Sequence, residues 1–546
     1  MTKVIFALDQ EVSSNVELDT LVISPSRESW NDFGFRIRVD IAFVTQFSHD
    51  RVLNLPGFFG FIGDSKSKAD VRLLKQLLDA APGNRLEAKD VPAFFTMLPH
   101  MRAYRDIVAY LGSEIATKAL IAMNEVVATD EGINSPHWFR DAKESQIFKK
   151  GFLRSSEAFF AWANAGSMLY GLEHEQVGRI SDTFNIRFQL AGRPNEHDLS
   201  FRFDVNDDIL PRRFAVVIGE NGVGKSQTLG NIAKAALDGR KDLTDADGGR
   251  PYLNRLLAFA PTSTTSSVFP NDRRRNPKVW YRRFALGHPG GTRGRYTTAE
   301  LIMRLARSEE NIGTRSRLKI FLIAIAAIDS GHELGLRASR GYRADLIHIG
   351  DLMKGGEEER IERFGAIDLR REPVRIIDGL HYPLSSGEQS FLRFAAIASL
   401  YIENGTLVLL DEPETHLHPK FISQFVAVLD NLLEQTGSAA IISTHSVYFV
   451  RESFEDQVIV LRSEKDRSVM AERPTLKTFG ADVGSISYFV FGEDEPSRLA
   501  LEAERRIADS SSSWEKIFEQ YKDEVSLDLL AEIRARLEPP KPARRP

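Results

Sequence analysis

Apolar positions change their period several times along the chain. KVIFALD near the start and FRIRVDIAFV, beginning at Phe35, have strand character, the second alternating apolar and polar residues as a half-buried strand does. From Gly60 to about Tyr170 the spacing becomes helical, as in DVRLLKQLLDAA and IATKALIAMNEVVA, which predicts a helical insertion over 56–179. Strand patterns return in FNIRFQLAG and LSFRFDV, and the apolar run Phe214 to Ile218 leads straight into a glycine-rich turn. Helices, loops and charge runs fill 266–375, and a second strand-and-helix pattern occupies 376–480. The remainder, 481–546, reads as helices at Arg498 to Ile507 and Trp514 to Leu537, followed by the proline-rich EPPKPARRP. No internal repeat and no sustained heptad emerges, so the pattern predicts an α/β chain without a long coiled coil.

Composition narrows the class. The 546 residues suffice for several domains, and a 42% hydrophobic share with 27% charged residues excludes wholesale disorder. A net charge of -5 excludes a globally basic nucleic-acid coat and leaves room for a local basic patch. With no cysteine there are no disulfides, thiolate nucleophiles or Cys-ligated metals, and the reducing cytoplasm is the expected compartment. The start, MTKVIFALDQEV, lacks the apolar stretch of a signal peptide. The apolar run Ile320 to Ile328 is about half the ~20 residues that span a bilayer, so no membrane association is expected.

Four motifs carry chemistry. The first, Gly219-Glu220-Asn221-Gly222-Val223-Gly224-Lys225-Ser226, followed by Gln227, is a full G-x-x-x-x-G-K-S between an apolar strand and a helix. Its glycines let backbone amides close around phosphate oxygens, Lys225 adds a mobile charge near the terminal phosphates, and Ser226 is placed to ligate magnesium. The second, Leu384-Ser385-Ser386-Gly387-Glu388-Gln389-Ser390, opens a helix and makes a small, flexible approach for an anion. The third, TLVLL, ends in Asp411-Glu412, where Asp411 can reach magnesium and Glu412 can polarise a water. The fourth, AAIIST, ends in His445, an imidazole placed to meet a terminal phosphate or the attacking water. His416 and His418 form an H-x-H pair for which no third metal ligand is evident.

In this order the four motifs resemble the ABC-type ATPases, with Leu384 to Ser390 similar to their signature. EPETHLHP and ISTHS resemble the branch that includes SMC, Rad50 and OLD proteins. The resemblance implies an α/β ABC-type P-loop NTPase head with a mixed central sheet, helical insertions and a helical C-terminal region. It assigns 1–55 and 180–265 to the first part of the core, 266–375 to a helical, basic, lid-like insertion, and 376–480 to the second part. It also implies ATP and Mg2+ as cofactors, Glu412 and His445 as catalytic, and Ser226 and Asp411 as metal ligands. Ser385, Ser386, Gly387 and Glu388 would serve the nucleotide of a facing subunit in a head-to-tail dimer. The family's Q-loop glutamine has no counterpart between Gln227 and Gln389, where Ala258 to Thr264 (AFAPTST) stands instead.

The interval of about 160 residues between P-loop and signature is too short for Rad50-like arms, and the region after His445 lacks a Toprim pattern. The short arms and segments such as FFGFIGDSKSKADVRLLKQLL resemble the ATPase subunit family of the Septu antiphage system (PtuA), including its retron-associated form. That resemblance implies a higher oligomer, a separate HNH nuclease partner (PtuB), and a retron reverse transcriptase with its RNA-linked DNA. From Asn271 to Tyr296 eight bases face one acid. Arg273, Arg274, Arg275, Lys278, Arg282 and Arg283, with Trp280 and Tyr281 among them, suit phosphate contact and base stacking. An OLD- or Rad50-like DNA repair ATPase and a nucleotide-switched scaffold are the alternatives.

Overall fold

The hexapeptides FAVVIG, RLLAFA, TLVLLD and AAIIST are apolar almost throughout, and in the computed structural model they become neighbouring buried strands, the burial expected of a parallel sheet covered on both faces. The structure describes residues 2–8, 19–27, 34–44, 52–63, 70–129, 136–177, 180–205, 209–261, 265–274, 277–286, 296–339, 345–415, 417–491, 498–509 and 513–537. These residues fall into two units, 1–480 and 481–546.

In the central sheet the order is Trp280–Ala285, Arg255–Ala260, Thr406–Asp411, Ala439–Thr444, Phe214–Gly219, Val458–Ser463 and Val469–Glu472. The first six strands are parallel and the seventh is antiparallel, giving the mixed sheet of an ABC-type head. This register sets Asp411 beside Ser443 and Thr444 beside Ile218, so the strand ends that carry the motifs lie in one row. A small antiparallel sheet of Thr183–Gln189, Glu196–Arg202 and Leu243–Thr244 contributes Phe184, Ile186 and Phe201 to the same core as Val217, Leu229 and Leu409. On the other side, helices Thr298–Ala306 and Arg317–Ile325 pack against the signature helix Ser386–Tyr401.

The N-terminal strands differ from expectation. Lys3–Ala7, Thr20–Pro25 and Arg38–Val44 do not join the central sheet. They pair with Val52–Phe61, Arg85–Glu87 and Phe94–Met97 in a separate six-stranded sheet. Val52–Phe61 runs across the expected boundary into the interval 56–179, where Pro56 and two glycines weaken its strand signal. A Cβ on Gly57 would meet the tip of the Ile41 side chain at 2.5 Å and one on Gly60 would meet the Phe95 ring at 3.0 Å, so both glycines sit where the neighbouring strands pack closely. Phe6, Phe59 and Phe94 form the aromatic centre beneath helices Val71–Ala80 and Met101–Leu111.

The interval 266–375 is also more than a helical lid. Its Trp280–Ala285 is an edge strand of the central sheet, and Leu334–Arg337, Leu346–His348 and Val374–Ile377 form a four-stranded sheet with Leu380–Pro383. In the second unit the expected helix from Trp514 breaks into Trp514–Tyr521 and Leu527–Leu537, and Ile507, Ile517 and Ile533 pack together. Among the described residues no helix is long and apolar enough to cross a membrane.

Candidate nucleotide site

The turn after Phe214–Gly219 reverses into helix Lys225–Asp238 through three glycines with positive φ: Gly219 at 153°, Gly222 at 81° and Gly224 at 102°. At Gly219 a side chain would also strike the Leu461 carbonyl, 2.2 Å from its Cβ position. Val223 is buried and anchors the loop, while Glu220, Asn221 and Gly222 face solvent. Gln227 accepts from the Ala191 amide at 3.3 Å. Lys225 folds back, its Nζ donating to the carbonyls of Gly219 and Glu220, each at 2.8 Å. Burial lowers the proton affinity of this ammonium, to a pKa of about 8.

At the neighbouring strand end Asp411 is buried, with its carboxylate hydrogen-bonded to the hydroxyls of Ser443 and Ser226. Burial raises its pKa, and those two hydroxyls oppose the shift. A serine hydroxyl touching a carboxylate is an oxygen donor set that fits a hard cation such as Mg2+. Glu412 takes φ of 45°, a left-handed conformation that costs about 1–3 kcal/mol for a residue of this kind. The turn aims its carboxylate at His445, with Oε1 3.2 Å from Nε2. On the other side of the ring, Nδ1 lies 3.2 Å from Lys225 Nζ. Burial, then the Lys225 charge, lower the His445 pKa, so the imidazole is neutral at pH 7. The tautomer that satisfies both neighbours has its proton on Nε2, accepts from Lys225 and donates to Glu412.

The signature starts helix Ser386–Tyr401 with Ser385 and Ser386 exposed. Ser385 and Glu388 form a reciprocal cap: the Ser385 amide and hydroxyl donate to Glu388 Oε2 at 2.8 and 2.7 Å, and the Glu388 amide donates back to the hydroxyl. Gly387 lies in the first turn, and its nearest neighbour would be 3.5 Å from an added Cβ.

The basic segment does not form the proposed stacking patch. Tyr281 is a core residue, 6% exposed, and its hydroxyl donates to the Pro270 carbonyl. Trp280 is half-buried between the Arg255 guanidinium, 4.6 Å from its ring, and Tyr401. Arg274 pairs with Asp238, Arg283 donates to the Phe269 carbonyl, and Arg273 and Arg282 are exposed. Arg275 lies outside the described residues, as do His416 and the last three residues of AFAPTST. His418 caps helix Pro419–Thr436 by accepting from the Lys420 amide.

Three residues were not singled out from sequence. Glu414 Oε1 accepts from the Thr444 hydroxyl and the His445 amide, both at 2.7 Å, and so fixes the histidine turn. Arg193 donates to the Gly222 carbonyl at 2.8 Å and to Ser463, bracing the P-loop. Arg375 bridges Glu388 and Glu333 behind the signature. Glu414 was legible as the third carboxylate in DEPE, whereas the two arginines carry no local signal.

Sheet order and site together have the arrangement of an ABC-class nucleotide-binding domain of the AAA/ABC type of P-loop protein. A family model described as "AAA domain, putative AbiEii toxin, Type IV TA system" matches residues 355–451, which hold the signature, Asp411, Glu412 and His445 but not the P-loop. Across nearly its whole length the chain is similar to Protein ea59 of Escherichia phage lambda, at 22% identity over 530 residues and 93% of each chain. It is 31% identical over 128 residues to the energy-coupling factor transporter ATP-binding protein EcfA of Carboxydothermus hydrogenoformans, covering 22% of this chain and 43% of that relative. CbiO1 of Clostridium perfringens, part of an ABC transporter complex, superposes on 61% of this chain and 96% of its own at 13% identity and a TM-score of 0.26.

Proposed function

We propose that this chain binds ATP with Mg2+ at the P-loop and hydrolyses it between two head-to-tail copies, each lending Ser385 and Gly387 to the other's nucleotide. The observation that carries the reading is the continuous chain from Lys225 through neutral His445 to Glu412. Lys225 can exchange its two carbonyl contacts for terminal phosphate oxygens, and Glu412 is then free to accept a proton from an attacking water. His445 holds the two in register and can donate from Nε2. Ser226 and Asp411 are the residues that would hold Mg2+, which supplies positive charge to the phosphate oxygens. Ser385 and Ser386, exposed at the start of the signature helix, support the paired arrangement, since both are open to a second molecule.

The finer assignment is to an antiphage complex of the Septu or retron-Septu type. Nucleotide-dependent pairing, extended to a higher oligomer, would restrain or release a separate HNH nuclease, PtuB, with a reverse transcriptase and its RNA-linked DNA as further partners. In this reading the nuclease chemistry belongs to the partner. The motif resemblance supports it. Glu412→Gln is expected to retain ATP, accumulate as dimers in light scattering, and turn over at least about 100-fold more slowly. Unchanged turnover rejects the catalytic assignment. Nuclease activity of the co-purified complex that is identical with ATP, ADP and no nucleotide rejects the control role.

A further inference from the structure

Away from the P-loop, a recess of about 690 Å³ is walled by three segments distant in sequence. Lys149, Lys150 and Arg154 come from the turns that precede helix Ser156–Asn164. Arg240 and Lys241 follow the end of helix Lys225–Asp238, and Arg250 and Lys278 complete the rim. The floor is apolar, with Leu153, Leu253 and Val279 among its residues, and no carboxylate lines it among the described residues. The floor sits on the main core, with Leu253 and Val279 2% and 5% exposed.

The bases are held close to one another. Arg250 donates to the carbonyls of Leu153 at 2.9 Å and Arg154 at 3.3 Å, and its guanidinium lies 4.9 Å over the Phe159 ring. The Lys278 stem packs over Gly239, whose added Cβ would meet its Cγ at 3.1 Å. Burial lowers the proton affinity of Arg154, Arg250 and Lys278, and the charges of Arg154 and Arg250 lower Lys278 further. Arg240 is partly neutralised by Asp242. Lys149, Lys150 and Lys241 are exposed on the rim, and the helix C-terminus nearby offers only roughly half a negative charge.

From this geometry we infer that the recess binds nucleotide phosphate, presented by a free nucleotide or by a nucleic-acid strand. The cationic rim takes phosphate oxygens, and the apolar floor takes sugar and base. A volume of this size matches one or two nucleotides. The site retains only Lys278 from the basic segment picked out in the sequence. It draws its other cations from the N-terminal region and the loop after the P-loop helix, so it is separate from the ATP site.

The test uses the full chain with Lys225→Ala as background, to remove the P-loop's own contribution, and fluorescence anisotropy with labelled pdTpdT and labelled dT20. The variant adds Lys149→Glu and Lys150→Glu, two exposed side chains whose replacement leaves the core intact. An affinity loss of at least about 10-fold, with a flatter salt dependence, is expected because two phosphate contacts are lost. Loss for both probes assigns the site to nucleotides in either form, and loss for dT20 alone assigns it to strands. An unchanged melting temperature verifies that folding is intact. Binding of both probes at the background's affinity and salt slope overturns the inference, as does the absence of binding in the background itself.

Discussion

Arg105 donates to Glu403 at 2.9 Å, joining two residues 298 positions apart. The same guanidinium holds Glu175 through Nε and Nη2, and Arg317 lies 3.5 Å from the far oxygen of Glu403. The cluster ties helix Met101–Leu111, which packs on the N-terminal sheet, to the turn just before Thr406–Asp411, the strand that leads into Glu412. Burial opposes ionisation of Glu403, but Arg105 and Arg317 overcome it and hold the pKa at about 2. Glu403→Gln leaves two buried guanidiniums undercompensated, and a loss of about 3–5 kcal/mol is expected in urea denaturation at pH 7. Because the folded pKa lies below the ordinary 4.5, this stabilisation is complete above that value and is lost as pH falls toward 2. The difference between wild type and variant is therefore the same at pH 7 and pH 5.5 and narrows below about 4.5. A gap independent of pH down to the acid transition contradicts the linkage.

The ATPase half was legible because its physics is local. Continuous apolar runs such as TLVLL end in charged or polar residues, and a parallel sheet places those ends side by side, so the association of Lys225, Asp411, Glu412 and His445 follows from motif and topology together. The N-terminal half was not legible in the same way. Its partner strand contains Pro56, Gly57 and Gly60, which weaken the local strand signal, and the close packing of the glycines against Ile41 and Phe95 appears only in the paired sheet. The placement of the basic segment's aromatic residues was not legible for a related reason. Tyr281 and Trp280 alternate along an edge strand, so one enters the core while the other packs under Arg255, and composition alone does not separate those fates.

Glu414 gives a sharper test of the histidine turn than His445 itself. Its Oε1 accepts two hydrogen bonds, its Oε2 is buried without a partner, and burial raises its pKa. Glu414→Gln keeps the accepting oxygen and removes a poorly solvated charge, so near-normal turnover and equal or higher stability are expected. Glu414→Ala strands the Thr444 hydroxyl and His445 amide at a cost of about 1–3 kcal/mol, and turnover should fall while nucleotide affinity changes little. Equal behaviour of the two variants in steady-state ATPase assays and thermal melts would remove Glu414 from its positioning role.

Ser386 tests pairing without touching the nucleotide pocket of its own chain, because it is exposed at the start of the signature helix. Ser386→Arg is expected to leave nucleotide binding in place and to reduce turnover by at least about 10-fold, because the side chain obstructs the facing copy. Mixing this variant with Lys225→Ala distinguishes the two geometries. In a head-to-tail pair, the mixed dimer joins the mutant signature to the mutant P-loop in one site and leaves the other site intact, so activity rises above that of either variant alone. With sites confined to single chains, no mixture exceeds the average of its parts.

Asp430 offers a stability test far from the strand ends that carry the site. It sits in helix Pro419–Thr436, its Oδ1 has no hydrogen-bond partner, and burial raises its pKa to about 6, with Arg213 opposing the shift only in part. An acid whose pKa is higher folded than unfolded binds more protons in the native state between the two values. Stability from this residue therefore declines as pH rises from about 4 to about 6, and the penalty is fully present above that range. Asp430→Asn removes the charge at similar volume. It is expected to raise stability by about 1–2 kcal/mol at pH 7.5 and to make little difference near pH 4, with ATP turnover unchanged. Paired thermal melts at the two pH values decide it, and a gain at pH 4 equal to that at pH 7.5 would show that packing, not the buried charge, governs this position.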